Sequence, residues 1–200
     1  MSSSAYALFV LFAINLMNFF DRQIIGGVGE GIRREWGLSD TALGLLGTVF
    51  TLLYAMVGLP LGRLSDRAAR TKILAAGVFI WSLLTALSGA ARSFAQLIVM
   101  RLGVGVGEAT CSPASTSLIG DLFPANRRAR AVAIWMLGLP LGLGLANGAG
   151  GWILQNWGWR NAFFVAAVPG ILCAIAALWI HEPERGRKET HWPSLVWGTS

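Results

Sequence analysis

Six long apolar runs follow one another along this chain, at residues 5–28, 40–64, 71–91, 93–122, 130–153 and 159–180. At about 1.5 Å of rise per residue, a helix of any of these lengths covers a hydrocarbon layer of about 30 Å. The hydrophobic share of 54% and the charged share of 13% fit a chain read in spans rather than in soluble domains. The sequence therefore predicts an all-α integral membrane protein with six transmembrane helices. Its 25 glycines do not oppose this reading, because spanning helices tolerate glycine and use small residues to approach one another.

The cations mark the membrane faces. Arg63, Arg67, Arg70 and Lys72 surround the second-to-third connection, Arg127, Arg128 and Arg130 the fourth-to-fifth, and Arg185, Arg187 and Lys188 follow the sixth run. The opposite side has only Arg33, Arg34, Arg92 and Arg160. By the positive-inside rule both chain ends are expected in the cytoplasm, with the spans in the plasma or inner membrane. The net charge of +6 sits in these short loops, without the continuous basic stripe or stacking platform that nucleic acid requires. Cys111 and Cys173 lie inside apolar runs, where the thiol packs as a small apolar group. No metal-ligand spacing occurs, and neither metal nor cofactor is expected. The first run lacks a basic leader and a small-residue cleavage site, so it is read as a retained span.

Two runs carry charge where lipid would not accept it. On a helix, Arg101, Gly105, Glu108, Ser112 and Ser115 of the fourth run share one face. Asn15, Asn18 and Asp21 make a second stripe on the first run, with Arg22 beside it. A central arginine costs roughly 2.5 to 3.5 kcal/mol to insert, so such groups face a cavity or one another. Asp21 and Arg101 lie at similar depth, and their charged atoms are expected within hydrogen-bonding reach, which leaves Arg22 freer to meet a substrate. Asn18, Asp21, Arg22, Arg101, Glu108 and Ser112 are the candidate substrate and proton site. Glu108 is the candidate proton switch: desolvation favours its neutral form and an approaching arginine its carboxylate. A structural ion pair fixing the two helices together is the alternative reading of the same charges.

The connection Gly62-Arg63-Leu64-Ser65-Asp66-Arg67-Ala68-Ala69-Arg70-Thr71-Lys72 resembles the loop signature of the major facilitator superfamily, with Ala69 where that signature has glycine. Asp121-Leu122-Phe123-Pro124 with Arg128, and Trp159-Arg160-Asn161-Ala162-Phe163, resemble two further landmarks of the superfamily. The resemblance implies an N-terminal six-helix half built as 3+3 inverted repeats, and a charge network of Asp66, Arg67, Arg70, Asp121 and Arg128 that locks one conformation. Asn18-Phe19-Phe20-Asp21-Arg22, Gly105-Val106-Gly107-Glu108-Ala109 and Pro140-Leu141-Gly142-Leu143-Gly144 resemble the spinster branch, which moves lysolipids and sphingosine phosphate.

The resemblance implies secondary transport by alternating access, of a lysolipid or another amphipathic or organic anion, with proton coupling as one option. Residues 1–181 are expected to form the bundle and 182–200 to begin a cytoplasmic linker, cut short, toward a missing C-terminal six-helix half. Beyond that half, the expected partners are a small-molecule or lipid substrate and membrane lipids. No enzyme is expected, since the only histidines, His181 and His191, lie in the polar tail and no nucleophile or zinc motif occurs. A non-transporting membrane partner or orphan half, and a carrier of small organic anions, remain as alternatives.

Overall fold

A computed structural model describes residues 3–65 and 68–186, without the side chains of 64 and 65. Every regular element among them is helical: α1 (Ser3–Trp36), α2 (Asp40–Ser65), α3 (Arg70–Gly89), α4 (Phe94–Glu108), α5 (Cys111–Leu122), α6 (Ala125–Met136), α7 (Gly138–Trp157) and α8 (Trp159–Leu178). They make six segments long and apolar enough to cross a membrane, with α4–α5 and α6–α7 each forming one.

The first helix runs past the apolar stretch that defines it in the sequence. Its last two turns stay helical because Glu30 pairs with Arg33 and Arg34 one turn on, at 2.7 and 2.6 Å. It stops where Gly37 takes φ +61° and Leu38 N–H returns to the Arg33 carbonyl at 3.0 Å, a glycine-terminated Schellman end. Ser39 then caps α2 through its hydroxyl, 3.2 Å from Ala42 N–H.

Proline explains the two interruptions that the apolar pattern does not show. Pro113 has no N–H for the Ala109 carbonyl, and the helix breaks at Ala109–Thr110, where the Thr110 hydroxyl instead reaches the Gly107 carbonyl at 2.8 Å. Pro140 stands in the same relation to Met136, and α6 gives way to α7 at Leu137. Arg127 to Arg130, expected at a loop and helix start, lie wholly inside α6. That helix begins after Pro124, whose carbonyl accepts from Arg127 and Arg128 N–H at 2.9 and 3.0 Å.

The long seam between α1 and α7 rests on missing side chains. A Cβ on Gly138 would stand 2.7 Å from the Leu16 nitrogen, and one on Gly142 would collide with the backbone of Leu16 and Phe20. Gly144 and Gly148, also four residues apart on α7, meet nothing and lie on its exposed side. At the far end of the bundle, Glu35 accepts from the Trp159 indole at 2.8 Å and from Arg160 at 2.5 Å, and Trp159 stands edge-on to Trp36.

Candidate functional site

Helices α1 and α4 bring four charged side chains together within the span, each paired across the interface. Asp21 is buried and fully engaged. Its Oδ1 accepts from Arg101 Nη1 at 3.0 Å, its Oδ2 from the Thr85 hydroxyl of α3 at 2.5 Å, and its own carbonyl from Arg101 Nη2 at 2.9 Å. Arg101 is equally buried, with the rings of Phe50 and Phe163 each 5.8 Å from its guanidinium carbon. Three helices therefore close on one ion pair that leaves no oxygen of Asp21 without a donor.

The second pair is built differently. Arg22 Nε donates to Glu108 Oε2 at 2.8 Å, but Glu108 Oε1 and Arg22 Nη2 are buried without hydrogen-bond partners among the described residues. Glu108 is completely buried, while the Arg22 side chain is 24% exposed. The guanidinium lies over the Tyr54 ring at 3.9 Å and near Phe19 and Phe50. Beside it opens a cavity of about 200 Å³ whose wall includes Arg22, Phe50 and Arg101, with Ile25, Leu43 and Leu46 as its apolar part. A cation, an aromatic floor and apolar walls can hold an anionic head with a hydrocarbon neighbour.

Arg22 is therefore not left free, as expected from the sequence, but is the partner of Glu108. Asn18 is buried nearby with its Nδ2 unpartnered among the described residues, whereas Asn15 donates to the Trp135 carbonyl at 2.9 Å. Ser112 departs from the expected stripe. The buried positions step without a shift through the break, at 101, 104, 108, 111, 115 and 118, so Cys111 takes the place expected of Ser112, Ser115 stays buried and Ser112 is exposed.

A second charge cluster ties the basic ends of the helices. Arg70 is buried and pairs with Asp121, with the Ser117 hydroxyl at 2.9 Å, with Glu182 at 2.8 Å and with the Pro183 carbonyl at 2.9 Å. Glu182 Oε2 also accepts from Thr71 N–H and its hydroxyl, at 2.8 and 2.7 Å. Burial alone pushes the Glu182 carboxyl up, but the Thr71 and Arg70 donors outweigh it and hold the group below the usual carboxylate range. Arg128 meets no carboxylate among the described residues: its Nη2 donates to the Gly120 carbonyl at 2.7 Å. Asp66 and Arg67 lie outside the described residues.

Thr85, Tyr54, Phe50 and Glu182 are among the participants that the sequence does not single out. Glu182 had a signal, an acid beside a proline immediately after the last span. The other three are ordinary residues of apolar helices, and only packing brings them to the charges.

Six helices long and apolar enough to cross a membrane, with buried charge pairs between two of them, define a polytopic membrane protein. The chain belongs to the Major Facilitator Superfamily, which it matches over residues 11–195. It is 34% identical to a probable L-galactonate transporter of Escherichia coli over 84% of this chain and 37% of the relative, and 34% identical to protein spinster of Drosophila melanogaster over 94% and 31%. The crystal structure of a bacterial homologue of the human lysosomal transporter spinster, inward-facing and occupied, superposes with a TM-score of 0.83 at 35% identity, over 94% of this chain and 47% of that one. The chain thus spans less than half the length of the proteins it matches.

Proposed function

We propose that this six-helix unit is the N-terminal half of a secondary transporter for an amphipathic or organic anion, a lysolipid being the leading case, and that Glu108 couples the movement to protons. The half-satisfied Arg22–Glu108 pair carries the reading. While Glu108 is ionised it occupies Arg22. When it takes a proton the pair loses its charge attraction, and Arg22, already at the cavity wall and stacked on Tyr54, becomes available to an anionic head. Release of the anion on the other side returns Arg22 to the carboxylate and the proton to water. Arg101, held by Asp21, keeps helices α1, α3 and α4 in register meanwhile. The orientation proposed puts both ends of the unit in the cytoplasm, and alternating access comes from rocking against a second six-helix half.

A small sugar acid is the second reading, favoured by the similarity to the galactonate transporter. Proteoliposomes holding the transporter, in which this unit is joined to its second half, test both. A pH gradient should drive accumulation of a lysophospholipid by the wild type, and Glu108→Gln should abolish that drive while leaving substrate binding in place. Equal response of both proteins to the gradient refutes the role of Glu108. Accumulation of galactonate with no competition from lysophospholipid decides for the second reading.

A further inference from the structure

The exposed faces of the bundle are of two chemical kinds. On α2 and α7 they carry Gly44, Gly47, Thr48, Gly144, Asn147 and Gly148 between the apolar side chains, the small and hydrogen-bonding residues that suit contact with other helices. On α3 and α8 the exposed face after Lys72 on one helix and Asn161 on the other carries no hydrogen-bonding side chain and, apart from Ala76, only large apolar ones. That second face is suited to hydrocarbon.

At its basic end lies a groove of about 360 Å³ between the two helices. Lys72, Ala75, Ala76 and Phe79 form its α3 side at i, i+3, i+4 and i+7, and Ile175 and Leu178 flank it on α8. The hollow exists because alanines stand where larger side chains would fill the seam. Along α3 the lining changes from a cation to hydrocarbon over about 10 Å. Lys72 is exposed, without an ion pair among the described residues. The neighbouring acid does not neutralise it, because both oxygens of Glu182 are taken by Arg70 and Thr71. Trp179, at the end of α8 and 75% exposed, adds an amphipathic ring at the same end.

We propose that this groove binds one anionic phospholipid, its phosphate on Lys72 and an acyl chain along Ala76 and Phe79. The order of groups along the groove matches the order along a lipid, and a lysine at the surface of an anionic layer is worth about fivefold in binding.

Native mass spectrometry of the delipidated full transporter tests this, with phosphatidylglycerol and phosphatidylcholine of identical chains as probes. The wild type should bind phosphatidylglycerol about fivefold more tightly. Lys72→Gln should remove the preference and Lys72→Arg keep it, while Ala76→Phe, at an exposed position that spares the core, should weaken both lipids. The proposal is overturned if Lys72→Gln keeps the preference, or if Ala76→Phe leaves binding unchanged. It is also overturned if inorganic phosphate competes as well as lipid, which makes the site a simple anion site, or if the wild type is a dimer that Ala76→Phe dissociates, since a second copy then fills the groove.

Discussion

Arg101 and Arg22 sit on the same helix interface and each faces a carboxylate, yet the protein treats them oppositely. Around Arg101–Asp21 it supplies a hydroxyl from α3, a backbone carbonyl and two rings, and buries both partners although Arg101 also borders the cavity. Around Arg22–Glu108 it supplies one hydrogen bond, leaves an atom on each side without a partner among the described residues, and opens a cavity beside the arginine. Closing a buried pair on all sides makes separation expensive, which suits a joint. Closing it on one side lowers that cost, which suits a group that must let go.

The difference should be largest in stability. Asp21→Ala strands a buried Arg101, and removing one partner of a buried pair costs about 3–5 kcal/mol. Unfolding in detergent should show a loss of this size, while Glu108→Gln should cost about 2 kcal/mol or less, since Arg22 keeps some solvent and the Tyr54 face. Equal losses would erase the distinction between joint and switch.

The next effect lies outside the membrane, where Glu182 offers a third way of holding an arginine. Its folded carboxyl is held below the usual range, so its contribution is present above the unfolded value of about 4.3 and is lost as the pH falls through the folded value. The wild type should exceed Glu182→Gln in stability by about 1 kcal/mol at neutral pH. Titration below about pH 4 should bring the two curves together. A difference that grows on acidification contradicts the assignment.

Much of this architecture was readable from residue order, and the failures share a cause. Length and apolarity identify six spans whatever their neighbours, and depth counted along α1 and α4 places Asp21 opposite Arg101, which stand 3.0 Å apart. What the chain does not announce is phase and reach. The stripe through Ser112 chooses one of two adjacent positions on the helix, and packing buries its neighbour Cys111 instead. With Asp21 taken by Arg101, the sequence leaves Arg22 freer to meet a substrate, and Glu108 stands about two turns from Arg101 on α4. The length of the arginine side chain, which bridges from α1 to that second level, decides otherwise. Thr85 and Tyr54 come from helices with no charge of their own at that depth, so no pattern within either helix points to them.

The smallest effect tests how Arg22 is kept in place when its carboxylate is neutral. Its guanidinium lies 3.9 Å from the Tyr54 ring centre, and in a partly desolvated site such a contact contributes about 0.5–2 kcal/mol through the ring's quadrupole. Tyr54→Phe keeps the face and should change stability by only a few tenths of a kcal/mol, whereas Tyr54→Leu should lose about 1 kcal/mol. The informative comparison is the same change made with Glu108→Gln. If the ring is the resting place of Arg22 once the pair has opened, Tyr54→Leu must cost more in that background than in the wild type, and the double-mutant cycle acquires a coupling term. If Arg22 instead swings out to water when Glu108 is neutral, the ring has nothing left to hold and the cost of Tyr54→Leu must shrink. The sign of that coupling, measured by unfolding of the four proteins at one pH, separates an arginine parked at the cavity wall from one that leaves it.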